Sequence, residues 1–202
     1  MKKTVLIIAI FIVTVLGAQA QEVKSIGAGA DFLSATRLRV SGSKKEGVIY
    51  ELHYKPMFGG FAFYEAISHG VTHMLEASFL TGNLSEIKES DSYYIEGWDH
   101  FSNLKTITLN YYVGNTFFPG KRFQLPIYAG IGANYIMADP IKSLALNVGL
   151  KARAKFYITD RFGIFAGAGC RYGLGSVRYG SNGKASLGER ILNVEAGLTF
   201  SL

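Results

Sequence analysis

From Lys142 to Asp160 the chain reads KSLALNVGLKARAKFYITD, with Lys151, Arg153 and Lys155 on alternate positions and Leu146, Val148, Leu150, Ala152, Ala154, Phe156 and Ile158 on the positions between or flanking them. A helix, with its period of 3.6, would scatter the three charges around its circumference, whereas a strand sends alternate side chains to opposite faces. The stretch therefore reads as a strand with one apolar and one charged face. Any fold containing it must supply two different surroundings, one for each face.

The same period recurs along the chain. Leu125, Ile127, Ala129, Ile131, Ala133, Tyr135 and Met137 alternate with Gln124, Tyr128, Gly130, Gly132 and Asn134; Ile107, Leu109, Tyr111 and Val113 alternate with Thr106, Thr108, Asn110 and Tyr112. Phe162, Ile164, Ala166, Ala168, Cys170, Tyr172 and Leu174 oppose Gly163, Gly167, Gly169, Arg171 and Gly173, and Leu192 to Leu202 alternates against Asn193, Glu195, Gly197, Thr199 and Ser201. In the first half, Ile26 to Phe32, Val48 to Lys55 and Met74 to Phe79 repeat the pattern over shorter runs, making eight segments. In the second of these, Val48, Tyr50, Leu52 and Tyr54 form the apolar face and Glu51, His53 and Lys55 the polar one. The span FGGFAFYEAISHG, from Phe58 to Gly70, fits least well: it stands where a tight turn is expected, and it reads as an extended hairpin or as a shift of register in the second strand.

Tight turns at Pro119-Gly120-Lys121 and Thr159-Asp160-Arg161 alternate with long polar connections at Ala35 to Glu46, Gly82 to Phe101 and Val177 to Gly188, which suits antiparallel hairpins in up-and-down order. At the start, Met1-Lys2-Lys3, the apolar run Val5 to Leu16 and Ala18-Gln19-Ala20 form the three parts of a secretory signal peptide, giving residues 1–20 as a cleaved leader and 21–202 as one barrel domain. Cys170 is the sole cysteine, so no intrachain disulfide stabilises the exported chain. A net charge of +6, with no concentrated basic patch, argues against a nucleic-acid surface.

The two faces choose between a soluble ligand-binding barrel, apolar inside, and a membrane barrel, apolar outside. The polar face carries Gly130, Gly132, Gly149, Gly163, Gly167, Gly169 and Gly173, wasteful on a wet strand but useful in a narrow lumen shared with Tyr and Arg. It also carries Asp31, Glu51, Glu76 and Glu195 with Lys55, Lys151, Arg153, Lys155 and Arg171, opposite signs suited to a paired lumen network. Phe117, Phe118, Phe123, Phe156, Tyr157 and Phe162 crowd the tight-turn rim, as an aromatic girdle at a membrane interface would. The fold expected is all-β: an eight-stranded antiparallel up-and-down transmembrane β-barrel in the bacterial outer membrane, monomeric, with a filled lumen.

The AQAQ cleavage context, the FYITDRFGIFAGAG hairpin and the closing NVEAGLTFSL strand resemble the small eight-stranded outer-membrane barrels of the OmpX, Ail and OmpA-transmembrane type, especially their relatives in Bacteroides-like bacteria. Such barrels usually end on an aromatic residue; here Phe200 is third from last and Leu202 ends the chain. The resemblance implies a structural or surface-interactive role, such as adhesion, rather than catalysis.

Motifs for chemistry are sparse. No P-loop, HExxH or paired-cysteine site occurs, so neither a cofactor nor a metal is expected, and His53, His69, His73 and His100 are dispersed. His100-Phe101-Ser102-Asn103 is similar to the catalytic pair of the lipid A 3-O-deacylases, but Leu109 to Thr116 lacks the carboxylate that would orient the histidine; only Glu96 and Asp99, upstream, could substitute. His100 and Ser102 are thus candidates for an alternative reading as a lipid A hydrolase. Tyr93, Tyr94 and Trp98 are candidates for a protein contact through the loops, and Lys105 and Arg190, at outer strand ends, for contacts with lipopolysaccharide and outer-membrane lipid.

Overall fold

The computed structural model describes residues 24–41, 48–68, 70–89, 102–139, 141–179 and 183–202. The leader, His69, His100, Tyr93, Tyr94 and Trp98 lie outside the described residues. The strands are β1 (Lys24–Ser41), β2 (Val48–Tyr54), β3 (Met57–Ser68), β4 (Val71–Gly82), β5 (Leu84–Glu89), β6 (Leu104–Phe117), β7 (Phe123–Ala138), β8 (Ile141–Tyr157), β9 (Phe162–Tyr179) and β10 (Gly183–Ser201).

These segments form one antiparallel up-and-down ring of eight walls. β2 and β3 are one wall interrupted at Lys55-Pro56, because β1 pairs with β3 up to Leu33–Met57 and with β2 from Thr36–Tyr54. β4 and β5 are likewise one wall broken at Asn83, and the Lys55 amide donates to the Asn83 carbonyl across both breaks (3.1 Å). Pro56 has no N–H to give to a ladder, which accounts for an interruption at this point. β10 pairs with β1 from Ser201–Ser25 to Ser186–Ser41, closing the ring and removing the free edges.

The span from Phe58 to Gly70 is thereby explained. It is the lower half of the second wall, followed by a turn in which Gly70 takes a left-handed φ of 80°. The other rim turns are equally tight. Gly120 adopts φ 71°, and Thr159 Oγ1 accepts from the amides of Phe162 (2.9 Å) and Arg161 (3.3 Å). At the opposite rim, most of Ala35 to Glu46 and of Val177 to Gly188 proves to be strand rather than loop, since β1 continues to Ser41, β9 runs to Tyr179 and β10 begins at Gly183, paired with Tyr179.

The outer face is apolar around the ring: Ile26, Phe32, Phe79, Ile107, Ile131, Leu144, Leu146, Val148, Leu150, Ile164, Leu174, Val194 and Leu198 are all exposed, Leu146 at 72%. The outward residues of β8 from Leu144 to Phe156 cover roughly 40 Å along the strand at about 3.3 Å per residue, which at a tilt near 45° gives a band of about 28 Å. Phe117, Phe118, Phe123, Phe156 and Phe162 point outward at the tight-turn end, while Tyr157, expected among them, is buried on the inner face.

The pattern changes phase toward the loop end. On β1 the outward residues are Ile26 and Phe32 below but Arg37 and Arg39 above, while Leu38 and Val40 turn inward. β2 follows the upper phase, so Tyr50, Leu52 and Tyr54 are buried inside and Glu51 and His53 face out, the reverse of the sequence expectation. These residues join Met57, Leu80, Leu104, Ile136, Ile141, Val177, Leu187 and Ile191 in an apolar inner layer. A barrel projecting beyond a lipid band meets water on its outside, so its apolar residues move inward, as in any water-soluble barrel.

Candidate functional site

The lower lumen is built around β8. Its period of two places Lys151, Arg153 and Lys155 on the inner face, where Arg153 and Lys155 are fully buried. Three other walls supply the carboxylates. Lys151 Nζ donates to both oxygens of Glu76 on β4 (2.6 and 2.7 Å) and to Glu195 on β10 (2.8 Å). Arg153 uses Nη2 on Glu76 (2.5 Å) and Nε on the other oxygen of Glu195. Lys155 reaches Glu65 on β3 (2.5 Å), whose second oxygen accepts from the Tyr128 hydroxyl.

Stripping water from an ion costs several kcal/mol, and only close pairing with every lone pair engaged offsets it. Glu76, Glu195 and Glu65 each use both oxygens here. The cations also lie over aromatic faces: the Arg153 guanidinium is 4.3 Å from the Phe63 ring centre and 4.9 Å from that of Phe165, and Lys151 is 5.4 Å from Phe61 and Tyr112.

Above this layer lies a polar belt. Asp31 accepts from Asn193 (2.9 Å), Glu189 accepts from Asn134, and Asn147 donates to Asn134 (2.7 Å). Arg171 is buried in the same belt, 6% exposed, and makes no ion pair among the described residues.

Of the nine charged residues expected in the lumen, Asp31, Glu76, Lys151, Arg153, Lys155, Arg171 and Glu195 are buried there. Glu51 and Lys55 are not. Glu51 lies on the outer face, half-buried between Arg37 (3.3 Å) and His53 (2.9 Å), and Lys55 is exposed at the wall break. Glu51 departs because β2 has the upper, inverted phase, and Lys55 because the interruption before Pro56 ends the alternation. Sequence reasoning missed Glu65 and Glu189. Glu65 sits in FAFYEAI, where Ala62, Tyr64 and Ala66 hide the alternation of Phe61, Phe63, Glu65 and Ile67; Glu189 stands next to a segment read as loop.

Ser102 Oγ accepts from the Asp139 amide (2.7 Å) and lies 3.3 Å from the Asn103 carbonyl, while its own amide donates to the Asp139 carbonyl (2.9 Å). The hydroxyl thus extends the hairpin of β6 and β7. Lys105 and Arg190 are exposed on the outer face toward the loop end, with Arg190 over the ring of Tyr172 (5.7 Å). His73, also outward, hydrogen-bonds Tyr111 (2.7 Å).

Closed ring, apolar exterior and ion-paired interior together define the architecture of the small outer-membrane β-barrels. Solved structures with this fold include a major outer membrane protein from Thermus thermophilus, at TM-score 0.57 and 17% identity, covering 91% of this chain and all of that one. The outer membrane protein OprG from Pseudomonas aeruginosa matches at 0.56 and 9%, over 90% of this chain and 96% of that one. Ail of Yersinia pestis is a looser likeness, at 0.42 and 13% over 91% and 100% of the two chains. No family model matches the chain, and no curated protein sequence does.

Proposed function

We propose that the chain is an integral outer-membrane protein whose lumen is closed by its own side chains, and which acts structurally or through its surface loops rather than by catalysis. The observation that carries this reading is the pairing of an apolar exterior with the buried layer of Glu65, Glu76, Lys151, Arg153, Lys155 and Glu195, which joins four walls of the ring. A side-chain layer held by charge-assisted hydrogen bonds leaves little path for ions, and an apolar band of bilayer height requires lipid.

Tyr93, Tyr94 and Trp98, in the sequence from Asp91 to Phe101, are the residues we assign to contact with a protein partner. Lys105 and Arg190, exposed at the loop end, suit the phosphates of lipopolysaccharide. The leader at residues 1–20 would be removed on export, and the mature barrel would act as a monomer.

The test is fractionation with gel migration and planar-bilayer recording of the same preparation. Retention in carbonate-washed outer membranes, a band that shifts on boiling, and no stable large conductance are expected. Release by carbonate, or a reproducible large single-channel step, would overturn the reading.

A further inference from the structure

On the outer face of the barrel, a groove of about 900 Å³ follows a single row of paired residues from Gly130 on β7 to Tyr54 on β2. Side chains on that row point into the lumen, or are absent at Gly130 and Gly149, so the floor of the groove is backbone. Its banks are the outward side chains of the two neighbouring rows. The lower bank carries Ala129, Leu150, Cys170 and Leu192, and the upper one Val148, Tyr172, Arg190, Arg37, His53 and Glu86. Neighbouring strands about 4.8 Å apart give the groove, from β7 to β2, a length of about 24 Å.

The two ends of the groove differ. At β8 it passes Leu150, near the middle of the apolar band, with Val148 and Leu192 also outward and exposed. At β1 and β2 it has climbed above the band, where Arg37, Arg190 and Lys55 are exposed around it. Arg37 and Arg190 are direct cross-strand partners, a placement in which like charges repel. Glu51 lies 3.3 Å from Arg37 but is shared with His53 (2.9 Å), while Arg190 and Lys55 make no ion pair among the described residues. An anion seated between the arginines would turn that repulsion into attraction.

We propose that this groove is a binding site for lipid A, the phosphorylated glycolipid of the outer leaflet, with an acyl chain along Leu150, Cys170 and Leu192 and a phosphate between Arg190 and Arg37. A guanidinium offers a phosphate two parallel N–H donors, and the second phosphate of lipid A supplies a partner for Lys55. The longer connections of such barrels face outward, so the charged end of the groove meets the outer leaflet. A groove that rises from the apolar band to a cluster of cations suits a molecule that is itself alkyl at one end and anionic at the other. This inference rests on the outer-membrane reading above and gives Arg190, assigned there to lipopolysaccharide, a defined seat with Arg37 and Lys55.

The test is equilibrium binding of bisphosphorylated lipid A to the full chain in micelles, followed by native mass spectrometry, with boiling-sensitive gel migration as the check of folding. Folded protein is expected to bind it saturably, and to bind dephosphorylated lipid A at least about tenfold more weakly and phosphatidylglycerol, with one phosphate, at least about threefold more weakly. Arg190→Gln should lose about tenfold in affinity for lipid A and little for its dephosphorylated form, whereas Arg39→Gln, which removes the same charge from the next outward position of β1 but off the groove, should lose less than about twofold. Cys170→Trp, which fills the apolar bank, should weaken both forms alike. Equal affinity for dephosphorylated lipid A or for phosphatidylglycerol, an unchanged affinity in Arg190→Gln or Cys170→Trp, or an equal loss in Arg39→Gln would overturn the proposal. If Arg190→Gln does not fold, Arg37→Gln serves the same comparison. Failure of the migration shift in wild type would instead strike at the barrel reading itself.

Discussion

Lys151 Nζ lies 2.6 and 2.7 Å from the two carboxylate oxygens of Glu76, a residue 75 positions earlier in the chain and on a wall that β8 does not touch. The pair spans the lumen rather than the ladder. It therefore reports whether the ring has closed in the correct register, because a one-residue slip would send either side chain to the lipid face.

Breaking that pair on one side should be costly. Glu76→Leu leaves Lys151 and Arg153 with only Glu195 between them, and a buried charge deprived of its partner typically costs about 3–5 kcal/mol. Urea titration of folded protein in micelles, followed by boiling-sensitive migration, should show a loss of that order. The companion Glu76→Leu, Lys151→Met chain should recover part of it, and equal loss in both would place the cost in packing instead.

The outer face sets the second expectation. Leu150 is outward and exposed near the middle of the apolar band. Leu150→Arg should lower folding stability in lipid by about 2–4 kcal/mol, as expected for a cation at the bilayer midplane. Arg37→Leu, above the band, should change it far less. Comparable effects of the two in vesicle-folding titrations would mean the band is misplaced.

Gly197 on β10 faces into the lumen, where an added Cβ would meet the backbone of Ala28 and Gly29 and, at 2.8 Å, the Phe165 ring. Backbone cannot move aside as a flexible side chain does, so Gly197→Val should cost about 1–3 kcal/mol and slow closure of β10 onto β1. Gly188→Ala, whose nearest neighbours would be 3.8 Å or more away, is the matched control.

Ser102→Ala should leave the lipid A of the cell unchanged in mass, because the hydroxyl is held in the strand-end contact with Asp139. Loss of that hydrogen bond should reduce stability by about 1 kcal/mol. A lipid A acyl chain retained only in cells carrying Ser102→Ala would make the protein a hydrolase after all.

Much of this was legible one strand at a time. The alternation on β8 gave both the strand and the inward direction of Lys151, Arg153 and Lys155, because nothing but a strand separates neighbours so completely. Reading failed at β2 for a physical reason. The rule that apolar means outward holds only within lipid, and Tyr50, Leu52 and Tyr54 stand where the wall has left it. Glu65 was hidden by the opposite difficulty, a strand whose two faces are both largely apolar, with Phe61 and Phe63 inside and Ala62, Tyr64 and Ala66 on the other face.

By itself, then, the sequence determined local direction: a period of two, the tight turns at Gly120 and Thr159, and the need to give one face lipid and the other pairing partners. Tertiary structure decided which residues meet. The alliances of Lys151 with Glu76, of Lys155 with Glu65 and of Arg153 with Glu195 cross the lumen between walls distant in sequence, and only the closure and stagger of the ring bring them to one height. The same closure buries Arg171 on the row between Gly149 and Ile191 with Nε and Nη2 unpartnered, a property of register, which alternation along a single strand cannot encode.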